Sequence, residues 1–345
     1  MVKIIVDAFG GDNSPYANVE GAIKAIKEIE DLHVTFTGNE EILKQELAKY
    51  DYDAERVGII NATEIITCED KPTDAVRIKK DSSLVKAIDY LRTTEDVSAL
   101  VSSGSTGAVL AGAVLRVGRI NGVKRPAFCP ILPNVNGGIV AICDSGANVD
   151  CSAEQLVQFA VMGSVYLEKT YGIDAPRVAL LNNGTEDTKG DALRKETFAL
   201  LKNAPSLNFV GNMESRDLLS GGYDLIVCDG FAGNVLLKST EGACLEMLKL
   251  LKKTLTKGFK NKMGALLLKK DIYKLKDFMD YNNYGGGVML GAAKTVIKAH
   301  GSSKAKSIYE CCKQAYAMEK ASVRGVIGEK ITEANAYLES IQQNG

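Results

Sequence analysis

Short apolar runs ending in Asp, Asn, Ser or Gly, each followed by a stretch of helical spacing, recur along the chain. Residues 2–6, 32–37, 57–61, 99–101, 138–143, 177–181, 207–210 and 223–228 have the length and content of buried strands. Helical spacing predicts helices over about 18–29, 40–50, 70–92, 153–169, 192–202 and 235–253. Val19, Ala22, Ile23 and Ile26 form one such apolar face, and Pro72-Thr73 suits a helix start. Residues 118–133 read as irregular. Behind Gly285-Gly286-Gly287 the pattern predicts a helix over 288–299 and two more after it. This alternation predicts an α/β fold, a mostly parallel sheet in αβα layers with helices on both faces. The chain reads as a single unit, 1–345. Its expected lobes are 1–97 plus 285–345, and 98–284 with a protruding helical tip near 248–280.

Five strand ends share one polar vocabulary: 7–12, 102–107, 144–150, 182–190 and 229–234. In parallel sheets such loops gather outside the carboxyl ends of the strands, where ligands bind. Ser102-Ser103-Gly104-Ser105-Thr106-Gly107 has the make-up of an anion cradle, with glycines for close approach, hydroxyl donors and a following helix start. Neither GxGxxG nor GxxxxGK[ST] occurs there. The competing reading of each loop residue is a turn former or helix cap.

Composition narrows the chemistry. The 42 Lys and Arg balance 43 Asp and Glu, so global charge gives no reason to expect a nucleic-acid partner. Eight cysteines without a CxxC pair suggest reduced thiols in the cytoplasm, not disulfides or zinc. Only His33 and His300 are present, which limits histidine-based catalysis and metal binding. His300 follows a predicted helix end, where a capping role and a chemical role are both open. No apolar run approaches the roughly 18–20 residues that span a bilayer.

The stretch 248–276 carries ten lysines and one acid, around Met263, Leu266, Leu267 and Leu268. Lysine-flanked leucines suit an anionic membrane surface, an acidic protein partner or a dimer interface. The sequence leaves all three open.

Taken together, the loops resemble the phosphate acyltransferases of the PlsX type. The matching stretches are DAFGGD (7–12), SSGSTGA (102–108), DSGANVDC (144–151), NNGTEDTKG (182–190), DGFAGNVLLKSTEG (229–242), GGGVMLG (285–291) and HGSS (300–303). They follow the family's order over nearly the whole chain. Where the family pattern has Met and Asn, this chain has Phe9 and Ser105. The resemblance implies a fold like that of isocitrate and isopropylmalate dehydrogenases and phosphotransacetylases. It implies acyl transfer from acyl-acyl-carrier-protein to inorganic phosphate, with no cofactor or metal. The acyl phosphate would feed a glycerol-3-phosphate acyltransferase in phospholipid synthesis. It further implies a homodimer, cytoplasmic and peripherally associated with the membrane, which favours membrane contact by Met263 and Leu266 to Leu268.

Phosphate as nucleophile removes the need for a Ser-His or Cys-His pair, so scarce histidine fits this reaction. Gly104, Ser105, Thr106 and Gly107 are the expected phosphate donors, with Lys189 and Arg125 offsetting its charge. Asn148, Asn234 and His300 complete the expected catalytic set. Asp7, Asp12, Asp144, Asp150 and Asp229 are expected to orient loops. An acyl-enzyme on Cys143, Cys151 or Cys228 is the rival mechanism. A phosphotransacetylase acting on short acyl-CoA, an NAD(P)-dependent dehydrogenase of the same fold and a membrane-surface scaffold are the rival functions.

Overall fold

The computed structural model describes residues 1–278 and 281–344; Met279 and Asp280, at the end of the predicted tip, lie outside them. The first half of the chain runs β1 (Val2–Asp7), α1 (Tyr16–Glu28), β2 (Leu32–Gly38), α2 (Glu40–Leu47), β3 (Val57–Asn61), α3 (Pro72–Ile78), α4 (Ser83–Thr93), β4 (Val97–Ser102) and α5 (Thr106–Gly112). Two short strands follow, β5 (Ala127–Cys129) and β6 (Ile131–Pro133), then β7 (Ile139–Cys143), α6 (Ala153–Tyr171), β8 (Arg177–Asn182), α7 (Ala192–Lys202), β9 (Asn208–Glu214) and β10 (Leu225–Val227). The remainder is α8 (Gly230–Leu255), α9 (Gly258–Leu267), α10 (Lys269–Phe278), β11 (Gly287–Leu290), β12 (Thr295–Lys298), α11 (Ala305–Lys320) and α12 (Val323–Asn344).

These strands form two mostly parallel sheets, where the sequence predicts one, within the expected α/β fold. One has the order β3-β2-β1-β4-β12-β11-β5, the other β6-β7-β10-β8-β9. Pairing is parallel except at β11 with β12 and β5, and at β6 with β7. The interior strands are buried on both faces, so they read as unbroken apolar runs with no alternation to mark them. By sheet membership the changeover lies at Pro130, between β5 and β6, and not after residue 97. Strand β4, which a cut at residue 97 would assign to the second lobe, pairs with β1 and β12 in the first sheet.

The predicted helix over 288–299 is instead the antiparallel pair β11 and β12. Gly291, at φ +83°, turns the chain between them, and Thr295, Val296 and Ile297 are the β-branched type that packs on a pleat. The irregular region 118–133 holds β5 and β6, three residues each and too short for a period to show.

Helix α6 lies within the core. Ser152 and Gln155 close its start with a capping box, and Gly172 in the left-handed conformation ends it. Its buried Gln158 donates to Gly122 O (3.0 Å) and Asn335 Oδ1 (2.7 Å), tying the helix to the 118–124 loop and to α12. Helix α8 differs. Its first two turns bury Gly230, Gly233, Leu236 and Leu237, and its outer turns leave Leu245, Met247 and Leu250 exposed. At 1.5 Å per residue, its 26 residues reach about 39 Å outward to the tip formed with α9 and α10.

Candidate active site

Strands β1, β4 and β12 end level. In register, Asp7 faces Ser102, and Ser102 faces Lys298 on its other side. Ser102 Oγ donates to Asp7 Oδ2 at 2.7 Å and accepts the Gly104 N–H at 3.1 Å. Burial pushes the Asp7 carboxyl above its ordinary range. Lys298 is only 6 % exposed, and its ammonium donates to Ala299 O. Desolvation pulls its pKa down to about 8.

Three loops interlock over these strand ends because their glycines carry no side chain. A Cβ on Gly10 would lie 2.5 Å from Gly104 N, and one on Gly11 would lie 2.9 Å from Gly301 O. Buried Asn18 donates to Ala8 O (3.0 Å) and Gly10 O (2.9 Å), fixing the first loop from beneath. Asp12, exposed, joins through its backbone N–H to Gly301 O at 2.8 Å. His300 Nδ1 lies 2.8 Å from Ser302 Oγ and 3.3 Å from the Ser302 N–H, and burial lowers its pKa, which favours the neutral ring.

The second sheet brings β7, β8 and β10 to a common end. Asp144, fully buried, accepts from Phe128 N (2.8 Å), Ala147 N (3.1 Å), Asn148 N (2.7 Å) and Asn148 Nδ2 (2.9 Å). Its carboxylate thus fastens the 144–150 loop to β5 of the first sheet. Asp229 caps α8 by accepting the Ala232 N–H at 2.9 Å and pairs with Arg194. Both have the loop-orienting geometry that the sequence suggested. Asp150 is exposed, in a separate depression with Cys151 and Arg194. The segment 230–234, read as loop from the sequence, is the first turns of α8. Gly233 makes this fit: a Cβ there would lie 1.9 Å from Asp144 O.

Between the two sets of strand ends lies a cleft of about 110 Å³, lined on its polar side by Thr106, Ser145, Asn234, Lys238, Lys298 and His300. Three expected site residues therefore converge: Thr106, Asn234 and His300. Others do not. The Gly104 amide is held by Ser102, Ser105 starts α5 without a side-chain cap bond, and Gly107 packs against Pro72. Asn148 spends both amide hydrogens, on Pro126 O (2.8 Å) and Asp144, so it holds the loop and does not face the cleft. Arg125 is exposed, and Lys189 is half exposed, 3.9 Å from Glu186; neither lines the cleft.

Two lining residues escaped the sequence reading. Lys298 was hidden inside a misassigned helix. Ser145, 3 % exposed, has a buried Oγ without a hydrogen-bond partner among the described residues. Such a hydroxyl needs a partner from outside the described residues, and its place at the cleft wall makes a bound ligand one candidate. Its signal in the sequence was present in the quoted DSGANVDC loop, beside the more obvious acids.

The cysteine route is unfavourable. Burial pushes the Cys143 and Cys228 thiols well up, and Cys151 rises to about 12, whereas a nucleophile must be a thiolate. Cys151→Ala is expected to keep at least about half of wild-type turnover, since a half-buried cysteine whose thiol stays protonated acts as a small apolar residue. A loss beyond tenfold in a normally folded variant, in a steady-state assay, would contradict this.

Known proteins place these features in context. The family model described as "Fatty acid synthesis protein" matches residues 2–325. The phosphate acyltransferase of Clostridioides difficile (strain 630) is 45% identical over 334 residues, 97% of this chain and 97% of that one. The phosphate acyltransferase of Bacillus cereus (strain B4264) is 49% identical over 317 residues, 92% of this chain and 94% of that one. Among solved structures, a phosphotransacetylase from Streptococcus pyogenes shares the fold, with a TM-score of 0.58 at 18% identity over 92% of this chain and 94% of that one. A branched-chain phosphotransacylase from Enterococcus faecalis V583 does so with a TM-score of 0.53 at 15% identity, over 92% of this chain and all of that one. Identity at this level across almost the full length, together with the family model's match over residues 2–325, shows that the chain belongs to the phosphate acyltransferase family.

Proposed function

We propose that the cleft moves a fatty acyl group from the thioester of an acyl-carrier protein to inorganic phosphate, giving an acyl phosphate for phospholipid synthesis. One observation carries this reading: the near-buried Lys298 ammonium faces the same small cleft as the unpaired Ser145 hydroxyl. A cation and a free donor in a dry recess suit a compact anion.

In this reading Lys298 offsets the phosphate charge, and Ser145 and Thr106 donate to its oxygens. A phosphate oxygen attacks the thioester carbonyl carbon, forming a C–O bond while the carbonyl pair moves to oxygen. Asn234, from the second turn of α8, and His300 Nε2–H donate to that oxyanion. Collapse breaks the C–S bond. The sulfur leaves as thiolate and takes its proton from solvent, which a thiol pKa near 8.5 permits.

The test is incubation with long-chain acyl-carrier protein, with and without phosphate. Acyl phosphate is trapped with hydroxylamine while released carrier thiol is counted. Phosphate-dependent, matched release is expected; its absence would overturn the reading. Parallel assays on short acyl-CoA separate it from phosphotransacetylase activity.

No helix of the described residues is long and apolar enough to cross a membrane. The tip instead exposes Met263, Leu266, Leu267 and Leu268 beside Lys260, Lys262, Lys269 and Lys270. We assign it to peripheral contact with anionic lipid, leucines entering the interface and lysines meeting headgroups. A homodimer, and hand-over of the product to a glycerol-3-phosphate acyltransferase, belong to the same reading. Replacing Leu267 and Leu268 together by Asp is expected to abolish cosedimentation with phosphatidylglycerol vesicles while sparing turnover on soluble donor. Unchanged cosedimentation would remove the tip from the membrane.

A further inference from the structure

The cleft does not end at its polar wall. Leu132 and Glu241, which line it, also line an apolar cavity of about 140 Å³ that continues outward along α8. Pro133, Leu219, Cys244 and Phe278 form much of its wall. Leu245 and Leu248, at its outer end, in turn line a larger recess of about 700 Å³ enclosed by α8, α9 and α10. Three spaces thus adjoin across shared side chains, from the strand ends to the tip.

The polarity changes along this path in one step. Glu241 stands at the junction, and Lys238, one turn earlier on α8, holds its carboxylate at 2.6 Å. Inward of this pair are Lys298, Asn234 and Ser145; the first cavity outward is almost wholly apolar, and the recess at the tip adds Lys249, Lys252, Lys262 and Lys269 beside its leucines. Such a division matches a ligand with a charged, reacting head and a long hydrocarbon tail.

We infer that this apolar passage along α8 seats the acyl tail of the thioester donor and of the acyl phosphate product, with the tail pointing toward the tip. The inference rests on the acyl-transfer reading for its head group, and on the continuity of the cavities for its tail. It makes α8 the common wall: Asn234 near its start meets the reacting carbonyl, Cys244 meets the middle of the tail, and Leu248 lies about 6 Å further out. Donor length is then selected by how much tail the passage orders. Each methylene moved from water into such a wall is worth roughly fourfold in affinity.

The test uses the full chain with butyryl, octanoyl and palmitoyl donors, and a fluorescent polyene fatty acid whose binding needs no turnover. Cys244→Trp plugs the passage near the cleft, and Leu248→Trp plugs it further out. Wild-type kcat/KM is expected to rise with tail length. Cys244→Trp should lose at least about tenfold on palmitoyl donor and most probe affinity, while butyryl turnover stays within about twofold. Leu248→Trp should restore octanoyl but not palmitoyl turnover. Retained butyryl turnover reports an intact site in both variants. Unchanged probe binding and an unchanged length profile in Cys244→Trp would overturn the inference. So would a changed mass by light scattering with unchanged probe binding, which would assign this face to a second copy of the chain. If wild type binds the probe and Cys244→Trp does not, yet no donor releases thiol with phosphate, the passage stands and the transferase reading falls.

Discussion

Lys298→Met is expected to lower phosphate-dependent turnover by about 10²–10³-fold, the cost of removing one preorganised electrostatic donor from a water-poor site. The methionine keeps most of the apolar stem and removes a buried charge, so the variant should melt no lower than wild type. A folded Lys298→Met enzyme with near-normal turnover, read by hydroxylamine trapping, would remove the lysine from the phosphate site. The pH dependence has a fixed sign. With a pKa of about 8 in the folded chain, the ammonium is present below pH 8 and lost above it. Apparent kcat/KM for phosphate should therefore fall as pH rises through about 8 in wild type, and that limb should be missing from Lys298→Met. Stability moves the opposite way. Between about 8 and the ordinary 10.5 the unfolded lysine holds a proton that the folded one has released, so this residue's contribution to stability rises with pH across that window.

Asp144→Ala is expected to damage the fold itself. It leaves the N–H groups of Phe128, Ala147 and Asn148 without the acceptor they share. At roughly 1–3 kcal/mol for each buried donor left unpaired, the loss is on the order of 4 kcal/mol or more. Such a change lies in the range reserved for broken buried networks, and the melting temperature should drop by about 5 °C or more. Because Phe128 belongs to the first sheet and Asn148 to the loop that follows β7 of the second, turnover should fall with stability. Thermal unfolding followed by circular dichroism checks this, and a wild-type melting curve would show the carboxylate to be dispensable.

Much of this architecture was legible in the chain. Strands β1, β2, β7 and β8 announce themselves as apolar runs stopped by Asp, Asn or Gly, because they are largely buried and the polar residues begin where the sheet ends. Asp7, Asp144 and Asp229 are buried and hydrogen-bonded to neighbouring loop or helix groups, partners that the sequence alone does not name. The errors share a physical origin. A fully buried strand carries no period, so β11 and β12 passed for a helix, and with them went the register that aims Lys298 at Ser102. Glycines that permit close approach reveal their partner only in three dimensions, so 229–234 passed for a loop although Gly233 sits in a helix against Asp144. Lys189 and Arg125 drew attention as cations near polar motifs; their exposure could not be read from spacing.

The short hairpin formed by β11 and β12 gives the site a reading frame. Side chains alternate along a strand, so removing or adding one residue in the 291–294 turn would advance β12 by half a pleat. Ile297 or Ala299 would then occupy the place that Lys298 holds beside Ser102, and the cleft would lose its buried cation without a single change in its own residues. Length variation can be absorbed elsewhere at the surface, but in this turn a one-residue indel acts as an active-site mutation.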